Sequence, residues 1–541
     1  MAKTTTGKKG GAPRRRYILM ATAGLHDPVL TRANFQPSAQ SVKLAARPAV
    51  AGLAATAATA APEMQVLDSI RDDGPKLVTM GPEAELSLRL NVPGLKIVPE
   101  VFYHRQWQRF RTHMRPAVKA TGRAKAKPKK SGRSATRLSA VAAAAPATTS
   151  LQITVTDQTN GRPVKGAHMV AFTDFASRAG AEGTTGANGR ATLSGLAPNA
   201  ALERVYVYAP AGYWGHFAAN TTGARQSSLK LQPVNVKDPI LLLPQFYAAL
   251  PMTAGSGVTV AIIDSGVDGT HPDLPNVAGG LNCVSDEVRA DPAAAANWRP
   301  ALSEGEHGTH VAGIVAGRGT ASGFRGVAPG ATLRAYRVFP DAGGGASNFD
   351  ITKAIDAAVA DHCDIINMSL GGPQKDDLVE AAIERALEAG VVVIVAAGND
   401  NRSAVSFPAA LTESVAVSAM GRAGTFPDDS IGTSDIADPK GGTGNKDFIA
   451  DFSNIGPQVD ITGPGVEIVS TLPGQGHGSM SGTSMACPAV TGFAAFLLAT
   501  NAGLRQTQGA DRSRQLKELL YSKCKPEGFG RDFEGFGLPA P

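Results

Sequence analysis

The run Val258-Thr259-Val260-Ala261-Ile262-Ile263, passing directly into Asp264-Ser265-Gly266-Val267-Asp268, decides the fold. A strand built from it has almost no polar face to offer solvent, so it must be covered on both sides. The pattern recurs outward. Ile365-Ile366-Asn367-Met368 and Val391 to Val395 read as further buried strands, interleaved with helices at Ile351–Ala360 and Asp377–Ala389. The second of these helices has apolar positions recurring at three and four. Such alternation predicts an α/β domain with a doubly wound parallel sheet. Reactive groups in that architecture gather in the crevice at the carboxyl ends of the strands. Asp264 ends the first strand, and Asn399, in Ala396-Ala397-Gly398-Asn399, lies just past the third.

Two more polar groups stand at element ends. His307 opens His307-Gly308-Thr309-His310-Val311-Ala312-Gly313, and Ser484 sits in Gly482-Thr483-Ser484-Met485-Ala486, before a helix running to about Ala499. A serine hydroxyl is a weak nucleophile near neutral pH and needs a base within hydrogen-bond reach. Singly, an Asp after a strand is a turn residue and a Ser before a helix is an N-cap; together and in order, the four motifs are hard to explain that way. On them the stretch from about 245 to 500 resembles the subtilisin-like serine proteases, the subtilase family, whose triad runs Asp, His, Ser along the chain. The resemblance implies a serine endopeptidase that passes through an acyl-enzyme, has broad specificity and autoprocesses. In it Asp264 orients His307, His307 is the general base and acid, Ser484 is the nucleophile, and Asn399 donates its amide to the oxyanion. His310 and Asp268 are expected as supports.

The resemblance also implies a groove for a polypeptide substrate. Ser369, Leu370, Gly371 and Gly372 would pair with the substrate backbone on one side, and Gly344, Gly345 and Ala346 would form the opposing edge. Asp400 is either a selector of basic P1 residues or a solvated rim charge. The chain departs from the family pattern in three places. Ala489 stands where many relatives have His. The segment Gly421 to Ala450 is about 20 residues longer than in a compact subtilase, and its Gly, Asp and Pro content predicts a surface loop. No cofactor is expected for the chemistry. Structural calcium is left open, with Asp273 as the candidate ligand, although Gly319-Thr320-Ala321 lacks the Asn expected opposite it.

The rest of the chain reads as four stretches: a basic tail over 1–15, an α+β unit over 16–110, a basic linker over 111–148 and an all-β sandwich over 149–240. The catalytic domain takes 241–541. Within 16–110 the order is strand (65–70), strand (76–80), helix (82–90) and strand (95–98), with Ala-rich residues 38–62 as a preceding loop. This unit resembles a subtilase propeptide, which implies an intramolecular inhibitor. Cleavage is expected either in the 111–148 linker or nearer residue 240. Within 149–240, Leu151–Thr156 alternates strictly, and Ala167–Thr173, Arg190–Leu193, Val205–Tyr208 and Ser228–Leu231 read as further short strands with turn signals between them. The stretch Val155 to Ala167, with Gly189 to Leu193, resembles carboxypeptidase-regulatory-like modules.

The formal net charge of +7, from 53 Lys and Arg against 46 Asp and Glu, suggests a polyanion partner only superficially. Residues 1–16 and 115–137 hold 15 basic and no acidic side chains, so everything else has 38 basic against 46 acidic. No aromatic residue interleaves with the bases of 115–137, which argues against nucleic acid. No stretch reads as a membrane span. Arg14-Arg15-Arg16 before Tyr17 to Gly24 fits either a short export signal or a first strand, so secreted and cytoplasmic locations both stay open. Cys283, Cys363, Cys487 and Cys524 show no metal-ligand spacing and are expected as free thiols.

Overall fold

The computed structural model describes residues 14–21, 41–43, 63–71, 74–92, 94–112, 150–300, 305–372 and 375–541. These fall into two units. The first takes in the chain up to Gln108 with residues 236–425 and 436–541; the second takes 109–235 with 426–435. The linker expected over 111–148 lies almost wholly outside the described residues, as does most of the 38–62 loop.

In the first unit, β1 (Arg15–Ala21), β2 (Ser41–Lys43), β3 (Glu63–Ser69), β4 (Lys76–Met80) and β5 (Leu95–Pro99) form an antiparallel sheet in the order β2-β3-β4-β1-β5. Helix α1 (Pro82–Asn91) starts on Pro82 with Glu83 and Glu85 in its first turn, a favourable placement at the positive end of the helix dipole. Successive strand residues point to opposite faces. Leu19, Val78 and Met80 therefore pack with Ala84 and Leu88 of α1, while Ile18 and Leu77 join Phe349 and Leu378. The residues Tyr17 to Ala21 thus form a strand, flanked by β4 and β5, as one of the two readings offered above expects.

The second unit is a two-layer β structure. One sheet has β7 (Ser150–Asp157), β10 (Arg190–Ser194) and β13 (Ser228–Leu231) in the order β10-β7-β13. The other has β8 (His168–Asp174), β9 (Ala179–Thr184), β11 (Ala201–Tyr208) and β12 (His216–Thr222) in the order β12-β11-β8-β9. Inward residues such as Ile153, Val155, Met169, Leu193 and Val205 fill the space between them.

The remainder of the first unit carries the predicted α/β sheet. Its strands are β14 (Thr259–Asp264), β15 (Val277–Asn282), β16 (Thr332–Arg337), β18 (Ile365–Met368), β20 (Val392–Ala396), β21 (Val415–Arg422) and β24 (Ile461–Pro464), all paired in parallel. Val260 to Ile263 are fully buried, as a strand covered on both faces requires. Helices α2 (Glu306–Ala316), α3 (Asn348–Ala360), α4 (Asp377–Glu388) and α5 (Thr483–Thr500) cover the sheet. Among the described residues α5 alone is long and apolar enough to cross a membrane, and 83% of it is buried inside the domain.

The 421–450 segment corrects the expectation of a surface loop. Strands β22 (Lys440–Gly441) and β23 (Asp447–Ile449) extend the sheet antiparallel from β21. Residues 426–435 belong instead to the second unit, where the Phe217 N–H donates to the Asp429 carbonyl at 2.8 Å and Ile431 packs beside Phe172 and Tyr206.

Candidate active site

Asp264 is the last residue of β14, and His307 lies in the first turn of α2; both are fully buried. His307 Nδ1 lies 2.8 Å from Asp264 Oδ1 and 2.9 Å from Oδ2. A carboxylate only accepts, so the ring hydrogen sits on Nδ1 and Nε2 is left as the acceptor. The Ser265 N–H also donates to Asp264 Oδ1, at 2.6 Å, which fixes the carboxylate plane. Gly308 is needed for this approach, because a Cβ there would sit 3.2 Å from Asp264 Cβ and closer still to the Gly266 carbonyl.

Ser484 is the second residue of α5, so its backbone N–H is one of the donors that a helix start leaves without an intrahelical partner. Its hydroxyl donates to the Ser369 carbonyl at 2.9 Å rather than to His307. Closing the nucleophile–base bond therefore takes a rotation of this hydroxyl. Asn399 Oδ1 accepts from Thr483 N and Oγ1 at 3.0 and 2.9 Å, which turns the amide's other end outward. Among the described residues, His307 Nε2 and Asn399 Nδ2 are both buried and without a hydrogen-bond partner. Orphaned buried donors and acceptors cost free energy, and here both edge the place where a reacting carbonyl would sit.

That place is filled by the chain itself. Strand β6 (Phe102–Arg105) runs antiparallel to β17 (Ala346–Ser347) on one side and β19 (Leu370–Gly371) on the other. The expected groove edges thus pair with a polypeptide. Leu370 and Gly371 are ladder residues, the Ser369 carbonyl accepts from the Gln106 N–H at 3.3 Å, and Gly372 lies against the Tyr103 ring. On the opposing edge the pairing falls on Ala346 and Ser347. Gly345 approaches Phe102 Cβ and the Tyr103 carbonyl, while Gly344 has open space around it. Tyr103 was not singled out by the sequence. It is 1% exposed, packs against Phe407 and places its hydroxyl 3.4 Å from Asp376.

Several other candidates resolve by contact. His310 is buried with Nε2 on the Gly478 carbonyl, and burial pushes its pKa down to about 3, which keeps the ring neutral. Asp268 accepts from Thr270 and the Gly474 N–H. Asp400 is held by Asn454 through Asp400 N and Oδ2. Cys283, Cys363 and Cys487 are buried and Cys524 is half-buried, all free thiols; burial raises the Cys487 pKa, and its sulfur contacts Asn367 and Ile394.

The residues around Asp273 do not fit a cation. Oδ1 accepts from the Ala321 and Ser322 N–H groups, and Oδ2 accepts from the Ser322 hydroxyl and from His477 at 3.0 Å. These neighbours present hydrogens to the carboxylate, whereas calcium needs a shell of six to eight oxygens. Among the described residues no group of three or more His, Cys, Asp or Glu is placed to hold a metal.

Residues 255–537 match the model of the subtilase family. Subtilisin NAT of Bacillus subtilis subsp. natto is 37% identical over 262 residues, 48% of this chain and 60% of its own. Subtilisin of Bacillus pumilus is 37% identical over 272 residues, 50% of this chain and 86% of its own. A thermostable alkaline protease of Halalkalibacterium halodurans is 35% identical over 269 residues, 50% of this chain and 64% of its own. The chain thus spans about three fifths of the length of the first of these relatives.

Proposed function

Because the chain belongs to the subtilase family and its residues 255–537 are a subtilisin-like serine endopeptidase domain, we propose that the whole protein is a peptidase zymogen that hydrolyses polypeptides through Asp264, His307 and Ser484. Ser484 Oγ attacks the scissile carbonyl as His307 Nε2 takes its proton, and Asp264 stabilises the imidazolium that forms. The same proton then passes to the leaving amine, and water hydrolyses the acyl-enzyme. The Ser484 N–H and Asn399 Nδ2 donate to the oxyanion, where charge develops only in the transition state. Subtilases need no cofactor for this chemistry. Residues 14–106 act as the intramolecular inhibitor, seated on the catalytic domain through Ile18, Leu77, Phe349 and Leu378 and through the Asp68–Lys353 ion pair.

The observation that carries this reading is the convergence of four groups: the Asp264–His307 pair, His307 Nε2 and Asn399 Nδ2, both without a partner among the described residues, and the Ser484 N–H, which donates to a peptide carbonyl at 2.9 Å. The test is casein hydrolysis by the purified chain and its Ser484→Ala variant. Hydrolysis by the wild type with loss of at least about a thousandfold in the variant is expected, in line with removal of a triad nucleophile. Equal hydrolysis by both proteins overturns the triad assignment.

A further inference from the structure

The peptide carbonyl seated on the Ser484 N–H belongs to Gln106, at 2.9 Å. On either side of it the chain is held as a substrate would be. Before it, β6 is the middle strand between β17 and β19, and the buried Tyr103 anchors it. At the carbonyl, the Gln106 side chain is recognised as well: its Oε1 accepts from the Asn399 N–H at 3.1 Å and its Nε2 donates to the His104 carbonyl at 3.3 Å. After it, the Trp107 ring meets the His307 ring edge-on with centroids 5.3 Å apart, and the Gln108 N–H donates to the Ser481 carbonyl at 2.8 Å. Gly482 leaves room for this passage, since a Cβ there would sit 2.8 Å from Trp107 Cα and closer still to the Gln106 oxygen.

We propose that the bond this protein cuts in its own chain is Gln106–Trp107. This rests on the peptidase reading above and specifies its first substrate, a bond with Tyr103 at the fourth position before the cut and glutamine at the first. In the reaction Ser484 Oγ bonds to the Gln106 carbonyl carbon and its proton moves to His307 Nε2. The C–N bond to Trp107 breaks, and that proton leaves with the Trp107 amine. Water then cleaves the ester, giving a Gln106 carboxylate and restoring the Ser484 hydroxyl.

The position of this bond changes what the mature enzyme contains. Residues 109–112 belong to the second unit, where the Phe110 N–H donates to the Tyr208 hydroxyl at 2.6 Å and the Phe110 ring packs against Tyr206, Phe175 and Arg178. The new amino terminus therefore lies only three residues ahead of a half-buried anchor, Phe110, in the β-module. That module and the basic stretch 115–137 both stay on the protease. Residues 1–106 hold 14 basic and 8 acidic side chains, so the chain from Trp107 onward keeps a net charge of +1.

The test is amino-terminal sequencing and intact-mass analysis of the earliest product formed by the purified full chain, with Ser484→Ala as control and casein hydrolysis measured alongside. The expected result is a new terminus at Trp107, a released fragment ending in Gln106, and an uncut Ser484→Ala chain. A first terminus in the 113–149 stretch or near residue 240, an active but uncut chain, or the same cut in Ser484→Ala overturns the assignment. Casein hydrolysis with a different terminus leaves the peptidase reading standing and removes only this bond. An uncut chain without activity removes both.

Discussion

Asn399 illustrates how a single side chain is committed before any substrate arrives. Its oxygen is occupied by Thr483, so its amide nitrogen must point into the site, where it finds no partner among the described residues. A donor held in this way needs no reorganisation when charge forms on the scissile oxygen. Asn399→Ala should therefore lower kcat by roughly a hundred- to a thousandfold with little change in KM, about 2.7–4 kcal/mol, the magnitude known for this donor in subtilisin itself. Steady-state kinetics on a peptide substrate measure the split; a raised KM with normal kcat would assign Asn399 to ground-state binding. Residues of this kind are legible in a sequence because chemistry restricts them to a few types at element ends. Asp264, His307, Asn399 and Ser484 were singled out in the sequence for that reason, and they are the residues of the proposed site. Tyr103 and Gln106 were not, since nothing in Phe102-Tyr103-His104-Arg105-Gln106 distinguishes a strand in a groove from any short strand. Asp273 was a weak candidate from the start, since the Asn expected opposite it is missing from Gly319-Thr320-Ala321. Its position suggested a metal, and only the hydrogens directed at it by Ala321, Ser322 and His477 show that the carboxylate is already satisfied.

At the scale of elements, the buried parallel strands and their helices were readable because burial on both faces leaves a continuous apolar run. The edge strands of the β-module were harder. β9 is Ala-Gly-Ala-Glu-Gly-Thr and β12 is His-Phe-Ala-Ala-Asn-Thr-Thr; neither alternates clearly, and tertiary pairing with β8 and β11 makes them strands. The 421–450 insertion carried turn-forming residues and read as a loop, yet its backbone extends one sheet and its middle packs in the other unit. The turn between β5 and β6 carries a testable consequence. Glu100 there is paired with Arg16 of β1 at 2.9 Å, with Asp286 and Asp350 also nearby. Burial pushes its carboxyl up to about 7; Arg16 opposes that shift, and Asp350 and Asp286 add to it. The docked state thus binds this proton more tightly than the released prodomain does. Docking is fully supported below the ordinary carboxylate range, and the support is lost as pH rises through about 7. After cleavage the prodomain should co-elute with the protease at pH 5 and dissociate more readily at pH 8, and Glu100→Gln should flatten that dependence. Size-exclusion chromatography at the two pH values reads the effect directly, and an unchanged profile in Glu100→Gln assigns it elsewhere.

For the whole molecule, the proposed order of prodomain, β-module and protease rests on the occupation of the groove by residues 102–106. The sequence left the cut open between the basic 111–148 linker and a place nearer residue 240. Seating of the Gln106 carbonyl on the Ser484 N–H supports the proposed boundary, ahead of the linker. Composition could not reveal this, since the decisive contacts join residues nearly four hundred positions apart. The central claim, that Ser484 is a nucleophile activated by His307, is tested most directly by reacting the processed protein with a fluorophosphonate and mapping the adduct by peptide mass spectrometry. A single adduct on Ser484, with loss of casein hydrolysis in proportion to labelling, is the predicted result. Full hydrolytic activity in protein that carries no adduct, or an inactivating adduct on any other residue, would contradict it.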